Sequence, residues 1–241
     1  MESLKHLRNL LFLSFFLFFI PCICLKAQVP ATADTSKKTA SKPSLAERVK
    51  GTKKYEGLFT FFQDTTTGSL QLFIRKDQLG KEFIYQSFSI NGPTQYSLNQ
   101  SMHRSNFVFK INKSFDKLEF ARINTNFYYN PNNAISKTKG VDVPEAVFHA
   151  DKIAFQNDSG YLINADPIFL SEKMDPVKPV FLPGTPPTAF LNMGNLNSAK
   201  SKYHKLRSFP ENSDVLVDLA YENPFPLNGG GKDITDPRYI R

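Results

Sequence analysis

Residues 55–90 read YEGLFTFFQDTTTGSLQLFIRKDQLGKEFIYQSFSI, and the order of side chains in this stretch sets the fold class to expect. Two apolar runs, Leu58–Phe62 and Leu70–Ile74, flank the polar DTTTGS. That pattern predicts a β-hairpin in which Gly68 supplies the positive φ of the turn. In the second arm Leu70, Leu72 and Ile74 alternate with Gln71 and Phe73, the period of a strand with one buried face. Lys76–Lys81 forms another turn around Gly80. In the strand beyond it Ile84, Phe88 and Ile90 share one side, with Gln86 between them.

The same grammar continues along the chain. NFVFKIN offers Phe107, Phe109 and Ile111 on one face, and KLEFARI offers Leu118 and Phe120, with NKSFD as the turn of a second hairpin. VFHADKIAFQN and GYLINADPIFL follow, with Asn157–Gly160 as their turn. SDVLVDLAYE alternates through Val215, Val217, Leu219 and Tyr221. No window sustains the three-and-four spacing of a long amphipathic helix. Phe occurs 23 times and Trp never, which suits many short strands covering one apolar layer. The expected fold is mainly β: short antiparallel strands and hairpins in a sandwich or a partly open barrel-like sheet, with little helix beyond the N-terminal segment. Five prolines between residues 175 and 187 exclude a central strand or helix there, and Phe181 or Phe190 is a candidate plug for the core. The tail ENPFPLNGGGKDITDPRYIR reads without a closing element. It implies a β-rich domain, 55–241, that is incomplete at its C-terminal end.

At the other end, Lys5 and Arg8 precede an apolar run from Leu10 to Phe19, followed by Pro21 and the small Ala27. A basic start, a short apolar middle and a small residue at the cut site predict a signal peptide over 1–27, with a retained membrane anchor as the competing reading. Cys22 and Cys24, the only cysteines, lie inside it, and neither follows the small residues that lipidation needs. The exported chain then has no thiol for a disulfide, a metal or catalysis. Export without disulfides fits a bacterial periplasmic, outer-membrane-associated or secreted protein, with no stable membrane span after cleavage.

Residues 28–54 are rich in Ala, Thr, Ser, Pro and Lys and read as a flexible basic linker, with a helical turn at Ser44–Val49 that Ser44 can cap. Ten of the 30 Lys and Arg residues lie before Tyr55, against three of the 22 Asp and Glu. The leader and linker therefore carry +7 of the net charge of +8, and nucleic acid is not an expected partner.

Chemistry is hard to find. Past the leader the histidines are His103, His149 and His204, with no His-Glu-x-x-His pair. His149 sits in a strand-like run as a structural side chain, and the other two lie in polar, exposed stretches. There is no Gly-x-Ser-x-Gly elbow. The glycines at 229–231 lack the Lys-Ser/Thr of a phosphate loop. Asp214 and Asp218 share one face of a strand, expected to be the solvent face. Asn99, Asn112 and Asn157 stand in glycosylation sequons that carry no sugar in a bacterial chain. No catalytic residue, metal ligand or cofactor is assigned to this chain.

KKYEGLFTFFQDTTTGSLQLFIRKDQLGKEFIYQSF resembles the N-terminal region of large exported bacterial zinc-dependent metalloproteases of the met-zincin type. The matching residues are Gly57, Leu58, Phe59 and Thr60, then Gly68, Leu70 and Leu72, then Leu79, Gly80, Lys81, Glu82 and Phe83. PEAVFHADKIAFQNDSGYLINADPIFL is similar to a later pair of strands in that family. Ser208, Phe209, Pro210, Glu211, Asn212 and Val215 look like its strand entry, and DPRYIR like a strand start. The resemblance implies a domain of unknown function that precedes the peptidase domain, with zinc held only in that missing domain. The family's zinc helix has no counterpart here, so no ligand or catalytic Glu carries over. The implied role is a non-catalytic accessory domain packing against or positioning a C-terminal peptidase domain. A stand-alone envelope module for peptide or glycan, with Tyr128 and Tyr129 as an aromatic platform, is the alternative.

Overall fold

The computed structural model describes residues 44–96, 98–177, 183–184, 193–223 and 233–241. The expected signal peptide, most of the linker, Phe181, Phe190 and the triple glycine lie outside the described residues. The elements in chain order are α1 (Leu45–Arg48), β1 (Thr52–Tyr55), β2 (Thr60–Asp64), β3 (Leu70–Arg75), β4 (Glu82–Ser89), β5 (His103–Ser114) and β6 (Lys117–Ile123). They continue with α2 (Lys139–Asp142), β7 (Ala146–Lys152), β8 (Phe155–Gln156), β9 (Gly160–Asn164), α3 (Asp166–Phe169), β10 (Asn195–Leu196), β11 (Lys202–Ser208), β12 (Ser213–Glu222) and β13 (Asp233–Ile240). The fold is mainly β, with antiparallel sheets and only single-turn helices among the described residues.

One sheet runs β1-β2-β3-β9-β8. The other runs β10-β12-β13-β4-β5-β6-β7, with β11 sharing the β10 side of β12, and curls into a half-barrel. The two approach each other at β7 with β9 and at β1 with β11. Their facing side chains make one core, to which Phe61, Leu72 and Ile74 come from the small sheet and Ile111, Leu118, Val217 and Leu219 from the large one.

The opening hairpin forms as expected. Phe61 pairs with Leu72, and the turn is closed by Asp64, whose Oδ1 accepts from the N–H groups of Thr66 and Thr67 at 2.7 Å. Gly68 has φ 76°. Phe73, on the outer face of β3, is buried as well, because α1 lies over that face. Leu45 and Val49 pack there against Phe62, Phe73 and Leu162. Ser44 and Glu47 cap α1 reciprocally. Residues 44–54, which their composition assigns to the linker, thus carry a capped helical turn and most of an edge strand. Two apolar residues were enough to anchor a polar segment to a strand pair already buried on its other side.

Four further expectations are corrected. In β4 the inward side is Tyr85, Ser87 and Ser89, and Ile84 is 71 % exposed. The serines are inward because they face a buried charged cluster. β7 leaves the β8–β9 hairpin and pairs with β6 in the other sheet. The tail's residues 233–240 form a central strand, paired with β12 along its length and with β4 at Arg238–Ile240. Its inward residues are Ile234, Asp236, Arg238 and Ile240, so two charges disguise the apolar face. Asp214 is 1 % exposed rather than facing solvent. It accepts from Asn212 Nδ2 at 3.0 Å and Arg241 Nε at 3.2 Å, and Arg207 Nη2 lies 3.2 Å away. Those groups fold over the outer face of β12 and cover it.

Candidate binding site

Between the sheets lies a cavity of about 630 Å³. Its walls are aromatic and come from separate strands. Phe59 packs on Phe83 at 4.9 Å between ring centroids, Phe83 on Phe109 at 5.6 Å and Phe109 on Phe120 at 6.3 Å. Phe61 meets Phe169 edge to face on the opposite side. α3 is held in place to present Ile168 and Phe169. Asp166 Oδ1 accepts both the Leu70 N–H and the Tyr203 hydroxyl at 2.9 Å. Burial and the Asp166 carboxylate push the Tyr203 pKa far up, so it stays a donor.

The mouth of the cavity is polar: Glu82, Gln86, Glu211, Asn212 and Arg241 line it. It is framed by an interlock between segments about 150 residues apart in sequence. The Leu58 N–H donates to the Phe209 carbonyl at 2.6 Å, Ser208 Oγ donates to the Phe59 carbonyl at 2.6 Å, and the Phe59 N–H reaches Ser213 Oγ at 3.2 Å. Gly57 is required by this contact, since a Cβ there would stand 2.5 Å from the Phe209 nitrogen. Segments far apart in sequence therefore meet around one cavity: Leu58 and Phe59, Glu82 and Phe83, Ile168 and Phe169, Pro210–Asn212, and Ile240 with Arg241.

Next to the cavity, beyond Tyr85 and Met174, the core turns ionic. Arg238, 2 % exposed, donates from Nε to Asp236 Oδ2 at 2.7 Å and from Nη1 to the Asp175 carbonyl at 2.6 Å. Asp175 Oδ2 accepts from Ser87 Oγ and Arg104 Nε, both at 2.9 Å. Arg104 reaches inward because the β4–β5 register shifts at that point, a bulge that re-aims it. Tyr221 donates to Glu172 Oε1 at 3.1 Å. Burial, with only partial opposition from Arg238, pushes the Tyr221 pKa far up, and burial pushes that of Tyr85 to about 12. Asp236 Oδ1 and Ser89 Oγ are buried without a hydrogen-bond partner among the described residues. The cluster fastens residues 172–175 to β4, β5, β12 and β13. Sequence reasoning missed it. The available signal was the alternation Asp236, Arg238 in the inward register of Ile234 and Ile240.

The histidines are distributed over three strands. His103 is exposed and its ring packs on Phe88. His204 is exposed, with Nδ1 3.8 Å from Asp218. His149 is 4 % exposed and lies 2.8 Å from Lys173 Nζ through Nδ1, so its own proton sits on Nε2, 3.9 Å from Asp151. Burial, and then the Lys173 charge, hold its pKa below the ordinary histidine value. Among the described residues no group of three or more His, Cys, Asp or Glu could hold a metal ion, and no helix is long and apolar enough to cross a membrane. Of the candidate aromatic platform, Tyr128 is 87 % exposed and Tyr129 only partly so.

No protein family, curated protein or solved structure matches the chain.

Proposed function

We propose that the chain is a non-catalytic accessory domain of an exported, zinc-metalloprotease-like bacterial protein, and that it packs against or positions a peptidase domain. The observation that supports this reading is where the resembling segments lie. They build an interlocked frame around an apolar cavity rather than a set of acids, bases or ligands. A frame of that kind holds a surface in shape, which is what an accessory domain contributes. Zinc belongs, on this reading, to the peptidase domain, and this chain holds none of its ligands.

Two measurements test it. The full chain should show no zinc-dependent cleavage of casein, and the reading frame past the Arg241 codon should encode an extended His-Glu-x-x-His helix. Peptidase activity abolished by a chelator, or zinc bound stoichiometrically through His103, His149 or His204, would overturn the non-catalytic assignment. A stop codon directly after Arg241 would favour the second reading, an envelope module that binds peptide. The cavity with its polar mouth supports that alternative, since sites for small or peptidic ligands are concave, mostly apolar and edged by a few polar groups.

A further inference from the structure

Residues 171–175 form a strap that is neither strand nor helix and is held by its side chains. On one side Glu172 and Asp175 tie it to β12 and to the buried cluster on β4, β5 and β13. On the other side Lys173 Nζ donates to His149 Nδ1 on β7 at 2.8 Å. That bond spans a seam in the cavity wall. Met174 lines the cavity from the strap, and Phe120 lines it from β6, with its ring 5.6 Å from that of His149 between centroids.

The imidazole has a second partner that it does not use. Its Nε2 stands 3.9 Å from Asp151 Oδ2, and both atoms are buried without a hydrogen bond among the described residues. An unmade buried donor and acceptor are costly, and closing the gap gains most when the donor ring is charged. Protonation also ends the other bond. An imidazolium carries a proton on each nitrogen, so it has no lone pair for the Lys173 ammonium and repels it.

We propose that His149 is an acid-operated latch on the cavity wall. The neutral ring holds Lys173 and keeps the strap shut against β7. The protonated ring drops Lys173, pairs with Asp151 and lets the seam between Met174 and Phe120 open.

The surroundings of the ring set the direction. Lys173 faces it from the strap and Asp151 from β7 itself. β6 presents the uncharged Phe120, and β9, which packs against β7, reads GYLIN and carries no charge. With the strap shut, burial and then Lys173 hold the ring's pKa below 6.5. With the strap open Lys173 is gone and Asp151 is in contact, so the ring binds its proton more tightly. Protons therefore favour the open form. The strap is shut above pH 6.5 and opens as pH falls through the lower value of the shut form. Glu172 and Asp175 are fastened by bonds that do not pass through His149, so that side stays anchored. None of this depends on export or on a peptidase domain.

The test treats the full chain with dilute hydrogen peroxide at pH 7.5 and pH 5.0 and counts sulfoxide at two methionines. Met174 is 6 % exposed, and Met193, at 4 %, is the internal control. Met174 should oxidise at least fivefold faster at pH 5.0, with Met193 unchanged. His149→Gln offers Lys173 an amide oxygen at either pH and should abolish the difference. Lys173→Leu should leave Met174 reactive at both. Nitrogen shifts of the His149 ring should show a proton on Nε2 alone at pH 7.5 and on both nitrogens at pH 5.0. Asp151→Asn should move that titration down by at least half a pH unit. Should a variant fail to fold, the peroxide comparison and the ring titration carry the test on the native chain. Equal Met174 rates at the two pH values, a rise shared equally by Met193, or a ring still neutral at pH 5.0 would overturn the proposal. So would a pH-dependent Met174 rate that survives in His149→Gln.

Discussion

Arg238→Met removes the cation at the centre of the buried cluster, and the structure sets the size of the loss. Asp236 is fully buried, its Oδ2 has the Arg238 Nε at 2.7 Å, and its Oδ1 has no partner among the described residues. Without Arg238 that carboxylate is a lone charge in the core. Asp175 fares better, since it keeps Ser87 and Arg104. Removing one member of a buried pair costs about 3–5 kcal/mol. With a urea m-value of about 2 kcal/mol/M, the unfolding midpoint should fall by roughly 2 M. The deficit should shrink as pH drops, because an uncompensated buried carboxylate takes up a proton. Arg238→Met combined with Asp236→Leu should recover to within about 1 kcal/mol of the parent, since apolar groups of similar volume replace a buried pair at little cost. The assay is equilibrium urea unfolding of the three chains at pH 7 and pH 5. A single-variant loss below about 1 kcal/mol, or a double variant no better than the single one, would refute the claim that the pair is buried and mutually compensating.

Other outcomes follow from the geometry. His149 is neutral when folded, and its pKa lies below the ordinary 6.5 through burial and Lys173. The stability it confers is complete above pH 6.5 and declines as pH falls from there through the folded pKa, and His149→Gln should flatten that slope in unfolding midpoints measured from pH 8 to pH 5. Gly57→Ala should cost about 1–3 kcal/mol, because the added methyl meets the Phe209 backbone, which cannot swing aside as a flexible side chain would. Ser44→Ala should cost about 1 kcal/mol of α1 and, in amide exchange, loosen Leu45–Arg48 without disturbing β12.

Local pattern was enough to read most strands. The hairpin through Gly68, the inward set Phe107, Phe109 and Ile111, and the run Val215, Val217, Leu219 and Tyr221 were all legible, because a period of two in apolar side chains is itself the physical cause of a half-buried strand. The segments that line the cavity could be quoted from the sequence as well, though not the fact that they meet. What tertiary structure alone decided was pairing and compensation. Which strand lies beside which depends on contacts far apart in sequence, as when β13 enters between β12 and β4. A charge in an inward register reads as solvent-facing until its surroundings are known, and beside the near neighbours Asp236 and Asn212, Arg238 and Asp214 are held by Asp175 and Arg207 from other segments of the chain. Even where one strand holds both members of a pair, as β13 holds Asp236 and Arg238, their burial is decided by the segments that pack around them.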